Sequence, residues 1–168
     1  MKIEKNGKSR GDSGKIWQSL DKSWVFFAIG FLVLLAADQL SKWWAVANLE
    51  IGEGADFGFV LAYNDGVAFG FDMPIWVIYM LTALVLCLGV YLVAANKLWR
   101  DGWHLTGLAL MAAGAVGNLI DRVNYGYVVD FIKIYWWPNF NLADVFLVMA
   151  VAVFFWEFFV REEGISEI

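Results

Sequence analysis

"FNLADVFLVMAVAVFFWEFFV", residues Phe140–Val160, decides the fold. The stretch is almost wholly apolar and approaches the ~20 residues needed to cross a ~30 Å hydrocarbon layer. Asp144 stands at its head, with Asn141 three residues before it. A carboxylate where a membrane helix begins is costly, and such groups tend to mark function. The rest of the chain has to say which function.

The composition agrees with a membrane setting. Of 168 residues, 61% are hydrophobic, 18% aromatic and 17% charged, ten are Trp, and the mean hydropathy is +0.60. A soluble domain carries about 45–50% apolar and about 25% charged residues. Three more apolar runs precede the first one. The expected helices are Trp24–Val46, Pro74–Ala95, Leu105–Val123 and Ala143–Arg161, the third interrupted by Gly114, Gly117 and Asn118. The fold class that follows is an all-α membrane protein of four transmembrane helices. Residues 1–22 are polar, carry six Lys or Arg, and read as a cytosolic segment with a short surface helix near Ile16–Leu20. Residues 23–168 read as one domain, with no linker or internal repeat. The first apolar run is long enough to be a retained anchor.

Charge orients the helices. The second connection holds Lys97 and Arg100, whereas Asn48–Met73 holds five acids and no Lys or Arg. Positive residues stay inside, so both termini are expected in the cytosol. Trp24, Trp43, Trp44, Trp76, Trp99, Trp103, Trp136, Trp137 and Trp156 fall near helix ends, as an interfacial belt would. The net charge of −5 includes no basic patch for nucleic acid. Two outer segments look extended. "GFVLAYNDGVAFGF" carries the hairpin signal Asp65-Gly66, and "YVVDFIKIYWW" is β-branched and aromatic. Together they suggest a small extracytoplasmic β element.

With that topology the acids converge. Asp38 lies fourteen residues past Trp24, ~21 Å along its helix, and Asp121 sixteen past Leu105, ~24 Å along its own. Asp144 opens the last helix from outside, and Asp130 lies just before it. Asn64, Asn118, Asn141, Lys42 and Arg122 reach the same depth. Each has a plainer role: Asp38 and Lys42 fit an ion pair at i,i+4, Asp144 a helix cap, Asp65 a turn, and Gly114 and Gly117 close helix packing. It is the cluster that points to a site.

Other chemistries lack their residues. His104 is the only histidine, on the cytosolic side, with no HExxH and no Cys–His set, so no metal is expected. Ser41 has no G-x-S-x-G around it, and Cys87 is alone. There is no phosphate-binding loop, and no cofactor is expected. Carboxylate chemistry remains: two close aspartates share a proton, one serving as base and the other as acid.

"DQLSKWW" (Asp38–Trp44), "NDGVAFGF" (Asn64–Phe71), "GAVGNLIDRVNYGYVVDF" (Gly114–Phe131) and "FNLAD" (Phe140–Asp144) together resemble the bacterial lipoprotein signal peptidases, the type II signal peptidases. The resemblance implies an aspartyl peptidase of the cytoplasmic membrane that cuts lipid-modified prolipoproteins before a diacylglyceryl cysteine. It also implies a β-cradle, membrane lipids as surroundings, no cofactor, and a site complete in one chain. By the same resemblance Asp130 and Asp144 are the catalytic pair. Asn64, Gly66, Asn118, Asp121, Arg122 and Asn141 line the site, with Asp38 and Lys42 as support. The catalytic pair is only fourteen residues apart, which implies a trimmed connection. Two other readings stay open on the residues alone, a small proton-coupled transporter component and a catalytically inactive binding relative.

Overall fold

The computed structural model describes residues 10–52, 56–66, 73–95 and 102–156. Four helices and two strands follow in the order α1 (Arg10–Asn48), β1 (Phe57–Asn64), α2 (Ile75–Ala95), α3 (Gly102–Tyr125), β2 (Val128–Ile134) and α4 (Leu142–Trp156). The fold is therefore helical with one small sheet. Among the described residues, two helices are long and apolar enough by themselves to cross a membrane, Lys22–Asn48 within α1 and Gly102–Tyr125. Ile75–Tyr91 and Leu142–Trp156 are shorter apolar helices.

Two expectations need correction. The polar start does not form a separate surface helix, because α1 runs unbroken from Arg10. Nor do Gly114, Gly117 and Asn118 interrupt α3. A glycine costs a helix about 1 kcal/mol, and here close packing is gained in return. A Cβ on Gly114 would meet the Ala143 carbonyl oxygen at 2.5 Å, and one on Gly117 would collide with Asp38 Oδ2. These two positions let α4 and α1 approach α3.

α3 is the central helix, packed on α1 and α4 and touched by α2. Leu105, Leu108, Leu110, Met111 and Ala113 from α3 close on Phe146 and Ala150 of α4, with Phe27, Phe31, Leu34 and Leu35 of α1 alongside. The other faces stay uncovered: Phe26, Leu32, Val33 and Trp43 on α1, Met80 and Leu84 on α2, and Val148 and Val151 on α4 are all exposed. Uncovered apolar surface on this scale needs lipid around it. Trp24, Trp43, Trp44, Trp76, Trp103, Trp136, Trp137 and Trp156 are exposed as an interfacial belt requires. Trp99, Lys97 and Arg100 lie outside the described residues.

The strands pair antiparallel, Phe57 opposite Ile134 and Ala62 opposite Asp130, with an irregularity between Phe59 and Ala62. The Asp65-Gly66 signal does not fold β1 onto a neighbouring strand among the described residues. β1's partner is β2, far along the chain. Val129 and Phe131 pack with Leu61 against Ala45 of α1, seating the sheet on the end of that helix. Gly126, at φ +84°, ends α3, and its N–H donates to the Arg122 carbonyl at 3.0 Å. Such a left-handed glycine is the usual helix stop. It releases the chain into β2.

Candidate active site

The short path from Asp130 to Asp144 closes on itself. β2 carries Asp130 outward, the chain turns at Tyr135–Trp137, and Phe140 returns beside Ile132, exchanging backbone bonds of 2.8 and 3.1 Å. Asn141 follows at once as the N-cap of α4. Its side-chain oxygen accepts from the Asp144 N–H at 3.1 Å, and Asp144 Oδ2 accepts from the Asn141 N–H at 3.1 Å. This is a capping box with Asp at the third helical position. The compact turn, not a long loop, brings the two carboxylates to one place.

Asn141 also faces the other way. Its Nδ2 donates to Asp130 Oδ1 at 2.7 Å, to Asn118 Oδ1 at 3.1 Å and to the Val129 carbonyl at 3.3 Å. One residue thus holds both acids. Asn64 Nδ2 donates to Asp130 Oδ2 at 3.0 Å, and Asn118 Nδ2 to Asp144 Oδ1 at 2.8 Å. The Asn64 oxygen accepts from the Gly66 N–H at 3.0 Å, which bends the chain after β1. Arg122 reaches across to donate to the Gly66 carbonyl at 2.9 Å.

Beneath this layer lies a buried charge cluster. Lys42 sits 3.0 Å from Asp38 and 2.9 Å from Asp121, and donates to Asn118 Oδ1 at 2.9 Å. Asp38 Oδ1 accepts from the Ala143 N–H at 2.9 Å, an otherwise orphaned donor in the first turn of α4. Asp121 Oδ2 accepts from the Val129 N–H at 3.1 Å, fixing the start of β2. Asp38, Asp121, Asp130 and Asn141 are each at most 2% exposed. Buried charge is tolerated only when paired and hydrogen-bonded, and here each of these carboxylates has partners.

Burial, then the negative charge of Asp144, pushes the Asp130 carboxyl up to about 7, against hydrogen bonds from Asn64 and Asn141. This carboxyl therefore holds its proton to a higher pH than an ordinary aspartate does.

All ten residues singled out in the sequence meet in this network: Asp38, Lys42, Asn64, Gly66, Asn118, Asp121, Arg122, Asp130, Asn141 and Asp144. The plainer roles hold alongside, since Asp38–Lys42 is an ion pair and Asp144 does cap its helix. Sequence reasoning missed Gln39, whose Nε2 donates to Asp38 Oδ2 at 3.0 Å, Asp121 Oδ1 at 3.2 Å and the Gly117 carbonyl at 3.3 Å. The signal was its place three residues before Lys42, on the same helix face. No group of three or more His, Cys, Asp or Glu side chains suited to a metal occurs among the described residues.

A bundle whose outer faces are apolar, with its ionisable groups gathered in one buried network at a helix end, defines an integral membrane protein with a built polar site. Comparison with known proteins narrows that class. The family model described as signal peptidase (SPase) II matches residues 30–160. A lipoprotein signal peptidase of Psychromonas ingrahamii is 36% identical over 152 residues, covering 83% of this chain and 86% of its own. One of Moorella thermoacetica is 37% identical over 141 residues, covering 78% and 91%. A solved structure of a bacterial membrane enzyme superposes with a TM-score of 0.72 at 25% identity, covering 85% of this chain and 92% of its own. The chain belongs to the signal peptidase II family, and it is a membrane peptidase.

Proposed function

We propose that this chain is an intramembrane aspartyl endopeptidase that removes signal peptides from diacylglyceryl-modified prolipoproteins, cutting before the lipidated cysteine. The observation that carries the reading is the grip of Asn141 on both Asp130 and Asp144. It makes the two acids one unit, and the raised Asp130 carboxyl supports one shared proton. The names of the curated relatives supply the substrate class.

The ionised member of the pair takes a proton from water as that water attacks the scissile carbonyl. The protonated member donates to the carbonyl oxygen, forming a neutral tetrahedral diol. The member that took the water proton then passes it to the amine nitrogen, while the other carboxylate takes a proton from the diol. The C–N bond breaks, the lipidated cysteine's amino group leaves, and the signal peptide ends in a carboxyl. Asn64, Asn118 and Asn141 keep the carboxyl oxygens oriented, Arg122 with Gly66 holds the segment beyond β1, and Asp38, Lys42 and Asp121 support the floor. All four helices span the inner membrane, residues 23–168 form one domain, and both termini are cytoplasmic. The site then lies at the outer leaflet and is complete in a monomer. A diacylglyceryl group costs ~0.8 kcal/mol per CH₂ to withdraw from lipid, so the pair must work where the lipid already sits. A proton-coupled transporter draws no support from Asp130 on a strand and Asp144 at a helix start, away from the midplane positions such proteins favour.

The test is product identity. Purified protein is incubated with one diacylglyceryl-modified precursor and with the same precursor unmodified, and the fragments are weighed by mass spectrometry. The expected product begins at the lipidated cysteine, from the modified precursor alone. Cleavage at another bond, or equal turnover of the unmodified form, would overturn the proposal.

A further inference from the structure

The Lys42 ammonium has three donors and no acceptor, and three oxygens take them: Asp38 Oδ2, Asp121 Oδ2 and Asn118 Oδ1. A structural ion cluster needs only the first two. The third enters the site. Asn118 Oδ1 accepts from Asn141 Nδ2 as well, so the oxygen end of this amide is held by two donors. Its nitrogen end is thereby turned to Asp144 Oδ1, 2.8 Å away. Flipped over, the amide would set its NH₂ against an ammonium and a second NH₂, and its oxygen against a carboxylate. Each of those contacts is repulsive. The same polarity continues into Asn141, whose oxygen takes the Asp144 N–H while its nitrogen donates to Asp130.

We propose that Lys42 is a positioning residue: through the Asn118 amide it sets the direction of the hydrogen bonds that hold Asp144, and through Asn141 those that hold Asp130. The inference rests on the aspartyl-pair reading above. Asp144 interacts electrostatically with Arg122 of α3 and with Asp130 of β2, and Lys42 of α1, itself paired with Asp38 and Asp121, interacts with Asp130. Of these two cations, Lys42 is hydrogen-bonded to the amide chain at Asn118 Oδ1, whereas Arg122 donates to the Gly66 carbonyl.

The experiment compares wild type, Lys42→Met, Asn118→Asp and Asp144→Asn in detergent, each with a melting curve, on a diacylglyceryl-modified precursor. Lys42→Met is expected to lower kcat roughly 10- to 100-fold with KM within about threefold, as loss of a charge-assisted contact would. The acidic limb of its pH–rate profile moves to higher pH, because the ionised pair loses donors and a nearby cation. A purely structural Lys42 would reduce only the folded fraction and leave the profile of the remainder unmoved. Asn118→Asp keeps the oxygen for Lys42 and Asn141 but turns an acceptor toward Asp144. Its kcat collapses near neutral pH and recovers partly on acidification, when the new carboxyl again donates. Wild-type kcat and profile in Lys42→Met, or wild-type kcat at neutral pH in Asn118→Asp, would overturn the proposal. If Lys42→Met fails to fold, Asn118→Asp decides. Failure of the underlying reading is distinct: wild type would not cleave, or Asp144→Asn would cleave normally.

Discussion

Asn141→Ser separates what Asn141 does for the fold from what it does for the acids. Serine keeps an oxygen for the Asp144 N–H, so the cap of α4 is retained within a few tenths of a kcal/mol. It loses the amide donor that reaches Asp130 Oδ1 at 2.7 Å and Asn118 Oδ1 at 3.1 Å. Leaving a buried acceptor without its donor costs about 1–3 kcal/mol, which corresponds to a kcat loss of roughly 5- to 150-fold. Asn141→Ala should lose as much activity and, in addition, about 1 kcal/mol of helix capping. In a domain of this size 1 kcal/mol shifts Tm by about 2–4 °C. The assays are single-turnover cleavage of a lipid-modified precursor and a thermal melt in the same detergent. The expected pattern is two variants with similar activity, the alanine melting a few degrees below the serine. Asn141→Ser with kcat within about twofold of wild type would refute the view that this amide orients the pair.

Three further expectations follow from the same geometry. Gly117→Ala drives a Cβ into Asp38 Oδ2, parting α1 from α3, and should cost at least the ~1–3 kcal/mol of core overpacking, read as a lower Tm together with lost activity. Stability should depend on pH through Asp130. Its folded value of about 7 lies above the usual 3.8, so its contribution is full below about pH 4 and is lost as pH rises toward 7. Asp130→Asn removes that titration and should flatten the pH dependence of the melting temperature between about pH 4 and 7, in melts run across pH. For catalysis the same proton must be present, so kcat should fall above about pH 7, checked by a pH–rate profile with saturating substrate.

Much of this was legible because a membrane leaves few ways to place polar residues. Once the apolar runs fix depth, Asp38, Asp121 and Asp144 can lie only near one level. The structure joins them through Lys42, Asn118 and Asn141. The starts of α2 and α4 fell within one residue of the sequence expectation for the same reason. What the sequence hid was non-local. Both extended stretches were marked but not their pairing: β1 joins β2 across two intervening helices, where Leu61, Val129 and Phe131 are buried together on Ala45. Gly114 and Gly117 looked like a break in α3. Their lack of a side chain is instead what seats Asp38 and Ala143 against the helix. Gln39 was overlooked because a half-buried amide carries no charge, and its role depends on α1 and α3 facing each other there.

The proposed activity requires Asp130 and Asp144 to act as a pair on the substrate's peptide bond. Turnover of a diacylglyceryl-modified precursor by Asp130→Asn and by Asp144→Asn, each first verified as folded by its melt, tests this most directly. Each single change should lower kcat by at least ~10³-fold, since either half of the acid–base pair is useless alone. Near-normal turnover by either folded variant would contradict it.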